Sequence, residues 1–303
     1  MKNEVVLVGH VTIDTIVKGN DMRRSLGGTV VYGSLASLKH GAQPVVYSKI
    51  GRDFPDEYLI WLSRMGIDIS GIKFCTSPTT KFKIRYEGGG RSLFLMSRCD
   101  DILPEDIDVE RIRNKAVIVG PIISEIPLET LRLIAKHGAI IALDIQGYVR
   151  KVNEERFIEL SSTPIAVAAL HYSDVIHAEA SEVAALTGVE DPVEGAKRLI
   201  DMGAGIILVT LGLKGSYVVT RRRVYFVPSA SSRRVVDETG SGDVFVTVFT
   251  IEYQKSGDIA EAAAMATAAA SFLVEAVGPG GLRSRWEVRR RAASVREHIE
   301  EVE

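Results

Sequence analysis

Cysteine is nearly missing: the 303 residues hold two, Cys75 and Cys99. Two cysteines cannot build a disulfide framework or, on their own, a metal cluster. Both read as passive residues, and a reducing, cytoplasmic compartment is the expectation. An excess of charge of one sign is missing as well. Lys and Arg total 37 against 39 for Asp and Glu, a formal net charge of −2, which excludes a strongly basic nucleic-acid binder on bulk charge. Long apolar runs are also missing. The run at 5–8 is too short for a signal peptide. The small-apolar stretch at 262–274 is interrupted by Thr267 and Ser271 and falls short of the roughly 20 residues a membrane span needs. Neither a nucleic acid nor a membrane is expected as a partner. With 46% hydrophobic and 25% charged residues, the chain has the composition of an ordinary folded protein with a sizeable core.

Short apolar runs alternate with segments of helical period. Runs at 5–8, 45–47, 117–119, 140–143, 175–176 and 206–209 lack polar alternation, so they read as strands covered on both faces. Helices are expected at 30–39, 57–65, 128–137, 181–187 and 192–202, and from Gly242 onward at 243–256, 259–276 and 285–301. This rhythm predicts an α/β body with a mainly parallel sheet. Two stretches break it. A short strand at 13–17 follows the first directly, and three strand-like runs (72–75, 81–86 and 92–96) crowd together, with Gly88-Gly89-Gly90 as a turn. These pieces predict a small β lid, formed by about 12–24 and 70–98, inserted into a single unit spanning 1–303. Such a lid leaves a monomer or a homodimer through its sheet equally open.

The sharpest local feature is Asp237-Glu238-Thr239-Gly240-Ser241-Gly242-Asp243, followed by the apolar run Val244-Phe245-Val246. Small residues lead into a helix start, whose outward N–H groups suit a phosphate or the charge on a phosphoryl group in flight. Asp243 falls in the first turn, where a carboxylate can take the proton of an attacking hydroxyl. Taken alone, such an aspartate is as readily a simple favourable charge at a helix N-terminus.

The run from Thr239 to Phe245 resembles the C-terminal signature of the ribokinase/PfkB family of carbohydrate kinases. Gly27-Gly28-Thr29, then Gly41 and Lys49-Ile50-Gly51-Arg52-Asp53, resemble its N-terminal signature. The resemblance implies a three-layer α/β/α body with a β lid, ATP and Mg²⁺ as cofactors, and phosphorylation of a small polyol or sugar hydroxyl. It makes Asp243 the base and the amides of Gly240, Ser241 and Gly242 the anion hole. It places Asp14, Gly27, Gly28 and Thr29 at the substrate. Thr210, Gly212 and Gly215 would form the nucleotide loop together with Thr239. Glu182, with Glu179 in place of the family's asparagine, would act on magnesium through water. No phosphate loop of the G-x-x-x-x-G-K-[ST] type occurs, in keeping with a bare anion hole.

Asp144-Ile145-Gln146-Gly147-Tyr148-Val149-Arg150 ends a buried strand, where α/β sheets present ligand-binding groups. This run resembles the archaeal myo-inositol kinase branch, as do Val8-Gly9-His10-Val11 and Ile176-His177-Ala178-Glu179. A polyol offers only hydroxyls, so carboxylates and amides such as Asp14, Asp144 and Gln146, braced by Arg150, suit it. A nucleoside, a ketose phosphate or a sugar acid stays open as acceptor, since Tyr32, Phe82, Phe94 and Tyr148 offer aromatic walls. A non-catalytic sugar sensor also stays open. A Rossmann-type oxidoreductase is disfavoured, because no G-x-G-x-x-G follows the first strand. The histidines lack metal-ligand spacing and read as structural.

Overall fold

The computed structural model describes residues 3–87, 90–232 and 234–302. Its strands, in chain order, are β1 (Asn3–Val8), β2 (Thr12–Lys18), β3 (Asp21–Gly27), β4 (Ala42–Gly51), β5 (Asp68–Cys75), β6 (Lys81–Glu87), β7 (Gly90–Ser97), β8 (Ala116–Val119), β9 (Ile140–Asp144), β10 (Arg150–Val152), β11 (Ile158–Leu160), β12 (Val175–Glu179), β13 (Ile206–Thr210), β14 (Ser216–Thr220), β15 (Val224–Val227) and β16 (Glu300–Val302). The α-helices are α1 (Thr29–Lys39), α2 (Asp56–Arg64), α3 (Val109–Ile112), α4 (Leu128–His137), α5 (Gln146–Val149), α6 (Pro164–Ala169), α7 (Ala180–Thr187), α8 (Pro192–Asp201), α9 (Ser241–Ser256), α10 (Ile259–Leu273) and α11 (Arg285–Glu297).

The apolar runs become the middle of a ten-stranded sheet with the order β16-β15-β14-β13-β12-β9-β8-β1-β4-β5. From β13 to β5 every pairing is parallel; β14, β15 and β16 extend the sheet antiparallel. Successive side chains of a strand point to opposite faces. Val5 and Leu7 accordingly enter one core with α1, α9 and α10, while Val6 and Val8 enter another with α4, α6, α7 and α8. Two cores on one sheet give the three-layer α/β/α body expected from the sequence. The alanines of α10 are buried almost without exception; their small side chains let it lie close against α9.

A separate four-stranded sheet, ordered β3-β2-β6-β7, stands at one end of the large sheet. Its strands β2, β6 and β7 match the expected runs at 13–17, 81–86 and 92–96. The run at 72–75, expected in the same small sheet, belongs instead to β5 at the edge of the large one, parallel to β4. Its mixed burial is that of an edge strand with one face packed on α2 and one exposed. The Gly88-Gly89 part of the expected turn lies outside the described residues.

Three further differences matter. The last helix stops at Glu297, not at 301, and Glu300–Val302 close the sheet as β16 against β15, where Val302 packs on the second core. A hairpin, β10–β11, was not expected; it buttresses the small sheet, with Arg156 O accepting the Leu95 N–H, Arg156 Nε donating to Leu95 O, and Phe94 packed on Phe157. Cys75 and Cys99 are joined as a disulfide between β5 and the segment after β7, so the reading of both as passive thiols is corrected. Among the described residues no helix is long and apolar enough to cross a membrane.

Candidate active site

The C-terminal ends of β9, β12 and β13, the start of α9 and the inner face of the small sheet surround two adjoining cavities. The smaller measures about 100 Å³ and takes Asp14 from β2, Gly27 and Gly28 before α1, and Asp144, Gln146 and Arg150 from the end of β9. The larger, about 590 Å³, takes Thr210, Gly212, Gly215 and Ser216 around the β13–β14 turn, with Thr267 and Ala270 of α10. Both are lined by Ser241 and Gly242 at the start of α9 and by Glu179 and Glu238. A hollow of about 700 Å³ between Phe272 and the α11 residues Arg290 and Arg291 lies beside them, but none of the convergent carboxylates reaches it.

The turn before α9 depends on backbone that only glycine adopts freely. Gly240 has φ 81°, and a Cβ there would lie 2.4 Å from the ring of Tyr32. Gly28 has φ 95°, and a Cβ would lie 2.3 Å from the His10 carbonyl oxygen. Asp237 braces this turn by accepting the Thr239 N–H at 3.1 Å and the Gly278 N–H at 3.0 Å. The Ser241 N–H donates to Glu238 O at 3.2 Å. Among the expected anion-hole donors Gly240, Ser241 and Gly242, Ser241 is therefore bonded within the turn, while Gly242 follows in the first turn, where helix geometry leaves N–H groups without an i−4 carbonyl of the same helix.

Asp243 is buried beside the smaller cavity. Burial and the neighbouring charge of Asp144 push its carboxyl up to about 6, against the hydrogen bond from Thr29 and the charges of His177 and Arg150. Its Oδ1 accepts from Thr29 Oγ1 at 2.7 Å and from Gln146 Nε2 at 3.5 Å. Gln146 Oε1 in turn accepts from Arg150 Nη2 at 2.5 Å, and Arg150 Nη1 reaches Ile122 O. Asp243, far from them in sequence, thus joins Gln146 and Arg150 in one hydrogen-bonded line along the cavity wall. Thr29 was expected at the substrate; its hydroxyl faces Asp243, and it does not line either cavity.

Asp14 is also buried, and burial pushes it up to about 7 in spite of hydrogen bonds from Thr12 and Phe82. Its Oδ1 has no hydrogen-bond partner in the protein, an arrangement that ordinarily costs free energy unless a ligand completes it. The backbone of Gly27 approaches so closely that a Cβ there would lie 2.1 Å from Asp14 Oδ2. Glu182 is buried, accepts the Glu179 N–H at 2.8 Å as part of a capping box on α7, and is pushed up to about 7 by burial and by Asp144. Glu179 is exposed and lines both cavities. Among the described residues no group of three or more His, Cys, Asp and Glu side chains is placed to cage a metal ion. One or two carboxylates beside a phosphate site is nonetheless the arrangement magnesium accepts, and Glu179 and Glu182 fit it.

Two site residues were not singled out from the sequence. His177 stands beside Asp144 across the parallel β9–β12 pairing. Its Nδ1 lies 3.0 Å from Asp144 Oδ2 and its Nε2 3.2 Å from Thr210 Oγ1. Burial alone pushes the imidazole down, but Asp144, with Glu182 and Glu179, lifts it to about 9. Glu125 is fully buried and accepts the N–H groups of His10, Ile122 and Ile123, which fixes the loop that brings Ile122 into the smaller cavity. A polar residue ending an apolar strand was the available signal for His177; Glu125 left none. Of the four aromatic walls considered, Tyr32 and Phe82 line the cavity. Phe94 packs on Phe157 outside it, and Tyr148 is core, with its hydroxyl on Ile126 O.

An α/β body carrying a buried carboxylate beside a helix-start anion site, between a small and a large cavity, is the framework of a group-transfer enzyme. The family model described as pfkB family carbohydrate kinase matches residues 2–285, and the chain belongs to that family; its fold is ribokinase-like. Among curated proteins it is 26% identical to a cytidine kinase of Thermococcus kodakarensis, over 85% of this chain and 91% of that one. It is also 26% identical to an inositol 3-kinase of Arabidopsis thaliana, over 90% of this chain and 74% of that protein. Among solved structures, a pyrophosphate-dependent kinase in the ribokinase family, complexed with a pyrophosphate analog and myo-inositol, superposes with a TM-score of 0.80 at 26% identity, covering 96% of this chain and 100% of that one.

Proposed function

We propose that this chain is a Mg²⁺-assisted, ATP-dependent kinase that phosphorylates a hydroxyl of a small polyol, myo-inositol foremost. The observation that carries the reading is the convergence of Asp14, Asp144, Gln146, Arg150 and Asp243 on one cavity of about 100 Å³. A space that small suits a single ring, and carboxylates, an amide and a guanidinium together satisfy hydroxyls as both donors and acceptors. Phe82, Ile84 and Leu93 of the small sheet give the opposite wall an apolar surface, against which the C–H face of a ring can lie.

In this mechanism Asp243 takes the proton of the acceptor hydroxyl as its oxygen attacks the γ-phosphorus in line, and the bond to ADP breaks. The N–H groups at the start of α9 face the charge on the transferring phosphoryl group. Gln146 and Thr29 hold the Asp243 carboxylate in place. Magnesium, held beside Glu179 and Glu182 through water and the donor's own phosphates, would supply charge neutralisation. The small sheet, acting as a lid over the acceptor, would exclude water and limit hydrolysis of the donor.

The larger cavity supports a nucleoside-bearing donor. Beyond the shared anion site it is lined by Leu211, Leu213, Phe245, Ala270 and Val274, with the unpartnered hydroxyls of Ser216 and Thr267. Pyrophosphate alone would leave that surface unused. A nucleoside acceptor is the second reading, favoured by the cytidine kinase relative and by Tyr32 and Phe82 in the acceptor wall.

The test is Mg²⁺-dependent phosphoryl transfer from ATP or pyrophosphate to a panel of acceptors: myo-inositol, ribose, fructose 6-phosphate, 2-keto-3-deoxygluconate, adenosine and cytidine. The Asp243→Asn variant serves as the blank. Turnover chiefly on myo-inositol with ATP is expected. Turnover chiefly on cytidine moves the acceptor to the second reading, and turnover with pyrophosphate alone overturns the donor.

A further inference from the structure

His177 occupies the middle of the site, on the wall of the smaller cavity. Its ring is buried, with 2% of the residue exposed, and both ring nitrogens are engaged by protein. Nδ1 meets Asp144 Oδ2 in the acceptor cavity, and Nε2 meets Thr210 Oγ1 at the donor cavity. The carbon between those nitrogens faces a third element: a Cβ at Gly242 would lie 2.7 Å from His177 Cε1. The first turn of α9 therefore rests on the imidazole edge, and the ring packs at 6.1 Å from Phe245 one turn further on. The backbone repeats the link, since Ile145 N–H donates to His177 O at 3.0 Å, fixing the turn that carries Asp144 and Gln146.

One rigid, planar side chain thus touches the acceptor carboxylate, the donor-side hydroxyl and the anion-site glycine. Strands β9, β12 and β13 set the spacing, because Asp144 pairs with His177 and Glu179 with Thr210 across neighbouring strands. Small displacements matter at such a junction: an error of about 1 Å between reacting groups can lower a rate about 10²-fold.

We propose that His177 is a positioning residue that fixes the acceptor-binding carboxylate of Asp144 relative to the Gly242 anion site and Thr210, so that acceptor and donor meet in line. The proposal rests on the kinase reading above and adds to it a residue that acts through Asp144, Thr210 and Gly242. A ring that only filled space would be replaceable by another ring. A ring that positions Asp144 through hydrogen bonds would not.

Three variants separate these cases. His177→Phe keeps an aromatic ring under Gly242 and removes both polar contacts. His177→Asn keeps a polar atom near the Nδ1 position, and His177→Gln one near Nε2. With each variant shown to be folded by its thermal melt, we expect His177→Phe to raise the KM for the acceptor at least 10-fold and to lower kcat at least 10-fold. His177→Asn should recover much of the acceptor KM without the full kcat. Wild-type KM and kcat in a folded His177→Phe would overturn the proposal.

Two further measurements hold if no panel acceptor turns over, in which case the kinase reading fails first. Imidazole ¹⁵N signals of His177 should move at one nitrogen in Asp144→Asn and at the other in Thr210→Val; unmoved signals refute the bridge. Calorimetry with Mg²⁺-ATP should show at least 5-fold weaker binding to His177→Phe through the lost contact to Thr210 at the donor cavity; equal binding refutes that arm.

Discussion

Thr29 Oγ1 donates to Asp243 Oδ1 at 2.7 Å, joining the first turn of α1 to the first turn of α9. The two residues are buried, and a hydrogen bond to an ionised carboxylate is worth about 1.5–3 kcal/mol. It orients the oxygen beside the one that takes the proton and it favours the ionised state. Thr29→Val, nearly isosteric, should therefore lower kcat about 10- to 100-fold with little change in the acceptor KM, and Thr29→Ser should recover most of the loss. An acceptor KM that rises with kcat intact would return Thr29 to direct substrate contact.

The same bond has a pH signature. Burial and Asp144 hold the Asp243 carboxyl up at about 6 while Thr29 pulls it down. A general base works only when ionised, so kcat should fall below pH 6 with a slope of one proton. In Thr29→Val the acid limb should move to higher pH, because a stabiliser of the charged form is gone. A pH–kcat profile of both proteins reads this directly. An acid limb that stays in place in the variant would show that the titrating group is not Asp243.

What sequence alone made legible follows from how local each signal was. The buried strands announce themselves because a parallel sheet covered on both faces requires uninterrupted apolar runs, as at Val5–Val8 within β1 and Ile206–Val209 within β13. The glycine turn before Asp243 was legible because its backbone tolerates few other residues. Asp14 was readable only through family resemblance, and Asp144, Gln146 and Arg150 also through their place at the end of a buried strand; the structure gathers all four at one cavity. Pairings set by tertiary register were not legible. Nothing local tells that the Ile72–Cys75 part of β5 prefers β4 to the small sheet, that Cys75 meets Cys99, or that the tail after α11 returns to β15. His177 belongs to the same class: its neighbours come from β9, β13 and α9.

Asp14 should show function opposing stability. Its carboxyl is raised to about 7 in the fold, chiefly by burial, against about 3.9 for a free aspartate. A group whose folded pKa lies above its unfolded one contributes stability below the unfolded value, and that contribution is lost as pH rises towards the folded value. The window here runs from about pH 4 to pH 7. Asp14→Asn carries no charge, so its melting temperature should overtake that of the wild type across this window and stay above it at pH 8. One kcal/mol corresponds to about 2–4 °C or less at this chain length. The acceptor KM should rise at least 10-fold in the same variant if the unpartnered Oδ1 takes an acceptor hydroxyl as proposed. A variant no more stable than wild type at pH 8 would mean that Asp14 is solvated or paired in the folded protein.

Among the described residues an ion pair ties the small sheet to the turn before α9. Arg23 Nη2 of β3 reaches Asp237 Oδ2 at 2.6 Å, and Asp237 also holds the Thr239 and Gly278 N–H groups. The guanidinium is 32% exposed and the carboxylate 6%. The pair is thus only partly screened, and removing Arg23 leaves a mostly buried charge without its cationic partner. If the small sheet must sit over the acceptor during transfer, Arg23→Ala should raise the acceptor KM about 3- to 10-fold and increase acceptor-independent hydrolysis of ATP, as water enters. Arg23→Lys, which keeps the charge but not the planar fork, should fall between. The comparison of acceptor KM with the melting temperature decides the matter. A lowered melting temperature with an unchanged KM would make the pair a structural clamp with no part in closure. A raised KM at nearly unchanged stability would make Arg23 the link by which the small sheet keeps the acceptor facing the anion site.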